Sequence, residues 1–243
     1  MLIEIRGLYK KYSKKANFAI EDINIVGNEG EIIGILGHNG AGKSTTIKCI
    51  TGMHPYEGGT ISICGYDLTL DPILAKQNFG YVSDEYTLFE TMTGFEFINF
   101  MADIYKVKKS DRKERIKEFQ KMLALGDAIY KPISSYSHGM KQKVSFMGAL
   151  IHNPKVFILD EPMVGLDPHT MNEVKNFFKQ HSARGNLVLF SSHNLDVVEK
   201  MCDRVYIIDQ GKIIKELDMA VFKKVGGKLE NYFLSITQRV SKL

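Results

Sequence analysis

Residues 37–45 read Gly-His-Asn-Gly-Ala-Gly-Lys-Ser-Thr, and no other stretch restricts this chain as much. They fit G-x-x-x-x-G-K-[ST], with Gly37, Gly42, Lys43 and Ser44 at the fixed positions. The Ile-rich apolar run 31–36 reads as a buried strand before it, and residues 44–51 can continue as a helix after it. Strand, glycine turn and helix in succession are the context of a phosphate-binding loop. The glycines let the backbone N–H groups of His38, Asn39, Gly40 and Ala41 turn inward. The N-terminus of the following helix, at Lys43, Ser44 and Thr45, adds partial positive charge. Lys43 would reach the β- and γ-phosphates, and the Ser44 hydroxyl would ligate magnesium.

The bulk numbers allow such a fold. A chain of 243 residues can bury a real core as one large domain, or as one domain with an inserted subdomain. Its 44% hydrophobic and 25% charged residues are ordinary for a globular protein. The net charge of +4 is spread along the chain rather than gathered into a basic block, which speaks against nucleic acid as a partner. Cys49, Cys64 and Cys202 are odd in number and lie beside apolar residues; they read as buried, reduced thiols of a cytosolic chain. The longest apolar run, 144–151, is too short to cross a bilayer, and the N-terminus alternates like a strand rather than a signal peptide.

Residues 2–6, 19–26 and 60–64 read as strands of an antiparallel layer. Between the first two lies Tyr12, placed either to stack on a nucleotide base or to pack half-buried against the sheet. A short helix after Pro72 leads to a strand at 79–82 and then to Ser83-Asp84-Glu85. From about residue 85 to 150 the pattern turns helical. A run of aromatics and methionines that includes Tyr86, Phe89, Phe95, Phe97 and Phe100 precedes a helix at 110–125, for which Asp111 and Glu114 have capping-box spacing. The aromatic run is either core or a groove for a partner. Ser137 has the place of an N-cap for a helix carrying Met140, Val144, Met147 and Ile151 on one face.

Residues 156–159 form an uninterrupted apolar strand ending in Asp160 and Glu161. A strand apolar on both faces belongs in a parallel sheet covered by helices, whose ligands bind at the C-terminal strand ends. Asp160 is placed there to hold magnesium in the way of a Walker B aspartate, and Glu161 to polarise an attacking water. Asp167-Pro168 caps a further helix. The strand at 186–191 ends before His193, which by itself is as readily structural as functional. A hairpin over 204–217 and an amphipathic helix carrying Leu229, Phe233, Ile236 and Val240 complete the chain. The histidines show no zinc-ligand spacing.

The order of these signals (Tyr12, the loop at 37–45, the helical insert, Ser137-His138-Gly139, Asp160-Glu161, Gly165-Leu166-Asp167, His193) resembles the nucleotide-binding subunit of an ATP-binding cassette (ABC) transporter, in its exporter-like subset. The resemblance spans essentially the whole chain. It implies an α/β fold: a RecA-like P-loop NTPase core with an antiparallel β layer (1–84 and 152–243) and an inserted helical subdomain (85–151). It also implies an ATPase that uses ATP and magnesium. Such a subunit would form a homodimer, or a heterodimer with a second ATP-binding subunit, and serve a transmembrane permease at the cytoplasmic face of the membrane. By resemblance, Tyr12 stacks on adenine, Asp160 and Ser44 serve magnesium, Glu161 is the catalytic base, and His193 contacts the γ-phosphate. Ser137 and Gly139 would face ATP held by the second subunit, and Asp167 would cross between the sites.

Two positions depart from the family pattern. The signature Leu-Ser-Gly-Gly-Gln reads Tyr136-Ser137-His138-Gly139-Met140 here, and Asp84 stands where a magnesium-contacting glutamine is expected. Two other readings are carried beside this one. A non-transport ABC ATPase of translation or DNA repair would be expected to add a second cassette, a coiled coil or a basic extension. A small-molecule P-loop kinase would leave Glu161 and Ser137-His138-Gly139 without a task.

Overall fold

The computed structural model describes residues 1–13, 17–84 and 88–240, with side chains through residue 237. Glu85 and Tyr86 therefore lie outside the described residues. Two sheets form the frame. In the first, β1 (Ile3–Lys10) pairs antiparallel with β2 (Ile20–Gly27) on one side and with β4 (Gly58–Ile63) on the other, and β4 carries the short β5 (Tyr66–Asp67). This is the expected antiparallel layer with β1 and β4 longer and β2 shifted by one residue: β1 runs through Gly7 by a register shift, and Gly58 joins β4 rather than the turn before it.

The second sheet has the order β10-β9-β3-β8-β7-β6. Its central members are β3 (Ile32–Leu36), β8 (Leu187–Ser192) and β7 (Val156–Leu159), in which every residue is buried, with β6 (Phe79–Val82) next to β7. These strands and β9 (Arg204–Asp209) run parallel; β10 (Lys212–Asp218) closes the edge as the expected hairpin. Such continuous apolar runs are explained by the two cores they separate. Phe157 and Leu159 of β7 and Val188 and Phe190 of β8 enter one core, while Val156, Ile158, Leu187 and Leu189 enter the other. The second core also takes in the antiparallel layer and Ile47, Cys49 and Ile50 of α1 (Lys43–Ile50).

The first core is covered by α5 (His138–Leu150), α6 (Pro168–Ser182) and α7 (Leu195–Met201). Its centre is a set of phenylalanine rings, Phe146 edge-on to Phe157 at 5.4 Å and Phe157 edge-on to Phe178 at 5.9 Å. α2 (Pro72–Gln77) lies beside β6, and α8 (Met219–Lys224) and α9 (Leu229–Val240) complete the C-terminal end.

The helical stretch contains α3 (Gly94–Ile104), α4 (Lys109–Met122), two short 3-10 turns (Gly126–Tyr130 and Ile133–Ser135) and α5. Two local expectations are corrected. Asp111 and Glu114 do not cap α4, which starts two residues before Asp111; Asp111 accepts from the Ser110 hydroxyl inside the first turn. The capping box belongs to α3 instead, where Thr93 and Glu96 satisfy each other's backbone N–H. The aromatic run divides between core and surface: Phe97 is buried, while Phe89, Phe95 and Phe100 are exposed. Cys49 and Cys202 are buried as expected, whereas Cys64 is half-buried in the turn after β4.

Candidate active site

The parallel register lines up the strand ends on which the site is built. Leu36 of β3 faces Ser192 of β8, Phe190 of β8 faces Leu159 of β7, and Leu159 faces Val82 of β6. The residues that follow, Gly37, His193, Asp160 and the Ser83-Asp84 pair, therefore emerge along one edge. Between Gly37 and α1 the chain wraps tightly. A Cβ on Gly37 would come within 2.5 Å of the Ile208 carbonyl, and Gly42 holds φ +109° as the N-cap of α1; both positions require glycine. Asn39 and Gly40 are exposed on the rim of the wrap, and Ala41, buried beneath them, accepts a bond from the Gly211 N–H at 2.9 Å. His38 rests its ring on Phe233 of α9, 4.8 Å between centroids.

Lys43, 5% exposed, donates to the carbonyls of Gly37 (2.9 Å) and His38 (3.1 Å), and its Nζ lies 3.2 Å from Glu161 Oε1. The other oxygen of that carboxylate, Oε2, is 3.0 Å from His193 Nδ1. Glu161 sits at φ +47°, a conformation that L side chains rarely adopt and that here turns the carboxylate back over the loop.

Asp160 is 1% exposed and reaches the same place from below. Its Oδ1 accepts from the Ser44 hydroxyl (3.1 Å) and the Ser191 hydroxyl (2.5 Å), while the buried Oδ2 has no hydrogen-bond partner among the described residues. Burial raises the Asp160 pKa, the two serine bonds oppose that, and the charges of Asp84 and Glu161 raise it further. The buried Tyr81 phenol is likewise pushed far up by burial and by Asp160 and Asp84. Among the described residues, three carboxylates thus share a small volume with the ammonium group of Lys43.

Above them is a cleft of about 380 Å³ whose lining includes Tyr12, Gly42, Ser44, Thr45, Asp84 and Glu161. Tyr12 is 59% exposed rather than packed into the sheet, and its hydroxyl bonds Thr45 Oγ1 at 3.0 Å. Ser137, Gly139 and Asp167 are not part of this lining. They gather elsewhere: Ser137 caps α5 by accepting from the Met140 N–H, and His138 Nε2 meets the Val164 carbonyl at 3.1 Å. A Cβ on Gly139 would lie 2.9 Å from Thr170, whose hydroxyl donates to Asp167 at 2.6 Å. Gln142 of α5 donates to the Pro162 carbonyl, tying this second group to the residue after Glu161.

Sequence reasoning missed Ser191. Besides donating to Asp160, its Oγ accepts the Glu161 N–H at 2.9 Å, so it orients both carboxylates. The only sign of it in the sequence was a polar residue ending an otherwise apolar strand.

A phosphate-binding loop at the C-terminal ends of a parallel sheet, with two carboxylates on the end of a strand of the same sheet, defines a P-loop nucleoside triphosphatase. Comparison with known proteins carries this further. Residues 20–164 match the family described as ABC transporter. The chain is 36% identical over 213 residues to the linearmycin resistance ATP-binding protein LnrL of Bacillus subtilis (strain 168), covering 88% of this chain and 68% of that protein. It is 32% identical over 247 residues to the methionine import ATP-binding protein MetN of Clostridium acetobutylicum, covering 100% of this chain and 73% of that one. A solved structure described as the ATP binding subunit of an ABC transporter superposes with a TM-score of 0.89 at 30% identity, covering 98% of this chain and all of the other. The chain belongs to the ATP-binding subunits of ABC transporters. It binds and hydrolyses ATP to power transport by a membrane-spanning partner, and subunits of this family dimerise. No helix among the described residues is long and apolar enough to cross a membrane itself.

Proposed function

We propose that this subunit hydrolyses ATP in composite sites built by two cassettes, on the cytoplasmic face of a membrane, and that its partner is an exporter. The observation that carries the site reading is the pair of links from the loop to the strand end, Ser44 to Asp160 and Lys43 to Glu161. They bring a phosphate cradle and a carboxylate able to polarise water within one side chain's reach of each other. In this reading Tyr12 stacks on the base, and residues 37–45 hold the phosphates with their N–H groups. Lys43 exchanges the Glu161 carboxylate for phosphate oxygens, which frees Glu161 to accept a proton from water. His193 keeps the released carboxylate oriented through its bond to Oε2.

Magnesium fits the residues present. The unpartnered buried Oδ2 of Asp160, the Ser44 hydroxyl and the exposed Asp84 carboxylate offer oxygen donors where negative charge is in excess. Bound there, the ion would supply charge neutralisation at the transferring phosphoryl group. No three His, Cys, Asp or Glu side chains among the described residues form a closed metal cage, and magnesium held partly by water and phosphate needs none.

Ser137, Gly139 and Asp167 stand away from the cleft of their own chain, which supports assigning them to the ATP site of a second cassette. The partner's docking place in this reading is the groove of about 300 Å³ beside α3, lined by Met53, Leu88, Phe89, Phe97 and Met101 among others. Export, rather than import, draws on the resistance relative, whose identity to this chain slightly exceeds that of the import relative.

Specific ATPase activity against protein concentration tests the composite site. Activity per subunit should rise with concentration, as pairs form, and then level off. Activity that is the same at every dilution would contradict the two-copy site.

A further inference from the structure

α4 gathers its acidic residues on one face, flanked by Arg115 and Lys121, and carries a row of lysines beside it. At 100° per residue Asp111, Glu114 and Glu118 share the acidic face, while Lys109, Lys113 and Lys117 follow at i, i+4 and i+8 in the row. Asp111 and Glu118 are engaged by Arg115 and Arg184. The three lysines are exposed and form no ion pair among the described residues, although like charges at that spacing destabilise a helix. They line a cavity of about 500 Å³ between α3, α4 and the Gly126–Tyr130 turn. Its apolar wall is Ile116 with the exposed ring pair Phe95 and Tyr130, 5.4 Å apart. The fourth cation there, Arg112, is already neutralised by Asp103 at 2.8 Å. Among the described residues, no carboxylate lines the cavity.

We infer that this cavity binds a free amphipathic organic anion, its apolar body against Phe95, Ile116 and Tyr130 and its carboxylate, sulfate or phosphate head on Lys109, Lys113 and Lys117. The volume is that of a small-molecule site. An anion relieves the repulsion within the lysine row, and an apolar body covers rings otherwise open to water. The cavity shares no residue with the ATP cleft. It meets the groove proposed for the membrane partner only through α3, which turns Phe95 and Asn99 to the cavity and Phe97 and Met101 to the groove.

The chain has no tryptophan, so Tyr130→Trp installs a single reporter in the cavity wall. Decanoate, titrated below its micellar concentration, should shift the reporter's emission to the blue with saturation, and 0.5 M salt should weaken the effect, on the order of a few-fold. In the same background Lys113→Glu/Lys117→Glu should weaken binding by roughly tenfold. Lys223→Glu/Lys224→Glu on α8, and decanol in place of decanoate, serve as controls. No saturable shift would overturn the inference. So would equal affinity for decanol, or equal weakening by both charge-reversed pairs. Circular dichroism of each variant checks that total helix content is kept.

Discussion

The Glu161 carboxylate bridges Lys43 and His193, one oxygen to each, at 3.2 and 3.0 Å. The residue that would activate water is thus held by a phosphate-binding lysine, and loading the loop with phosphate releases it. Glu161→Gln keeps the shape and loses the basicity. It should lower steady-state turnover about 10²–10⁴-fold while ATP affinity stays within a few-fold. Parallel measurement of phosphate release and of fluorescent-nucleotide binding checks this; turnover at the parent rate would remove Glu161 from its role.

Lys43→Ala makes the opposite separation. With the ammonium gone, the loop loses its only cation and Glu161 is left facing the phosphates. Nucleotide binding should weaken by at least roughly tenfold, as expected for a lost charge-assisted contact. Equilibrium dialysis with labelled ATP reads it directly.

Ser191→Ala tests the residue that orients both acids. It deletes the donor to Asp160 Oδ1 and the acceptor of the Glu161 N–H from a buried position. Unfolding stability should fall by about 1–3 kcal/mol, the cost of unpaired buried groups. Turnover should fall more than ATP affinity, with a higher magnesium concentration needed for half-maximal rate. A loss of stability with unchanged turnover would mean that Ser191 serves the fold alone.

A histidine away from the site sets part of the acid response. His181, 7% exposed, stacks on Phe177, and burial pushes its pKa down from 6.5 to about 4, with the Arg184 charge acting in the same direction. The unfolded chain therefore binds the proton first. The contribution is fully present above about pH 6.5 and is lost as pH falls toward 4. Relative to the parent, His181→Phe should gain about 1–2 kcal/mol at pH 5 compared with pH 8. Urea unfolding at the two pH values measures it, and an identical pH slope in the two proteins would refute the assignment.

Thr93 caps α3, the helix between the proposed partner groove and the lysine-lined cavity. Thr93→Ala removes the side-chain half of the capping box and should cost about 1 kcal/mol. Differential scanning calorimetry should register a fall in Tm of a few degrees.

The sequence by itself determined the elements that depend on local pattern. The loop at 37–45 was legible from its own glycine spacing between an apolar strand and a helix, and Gly42 indeed holds positive φ. The run of β7 is apolar without alternation because both faces are buried, and this marked a parallel sheet in advance. Asp160 and Glu161 were legible as the polar end of such a run. Elsewhere the local code allowed two answers. Asp111 and Glu114 have the spacing of a capping box, yet α4 begins before them, and Thr93 with Glu96 carries the box instead. Whether Tyr12 packs or projects, and which rings of the aromatic run are exposed, depends on elements distant in sequence.

The tertiary structure decided what spacing cannot encode. Ser191 lies 31 residues from Asp160, and only the pairing of β7 with β8 makes it the hinge between two carboxylates. Lys43 and Glu161 meet because β3 and β7 flank β8 in register, so that separate strand ends open onto one cleft. Pairing across a sheet is set by burial on both faces and by helix packing against them. These depend on the whole chain, which is why a residue's neighbours along the sequence could name the loop but not the contacts that arm it.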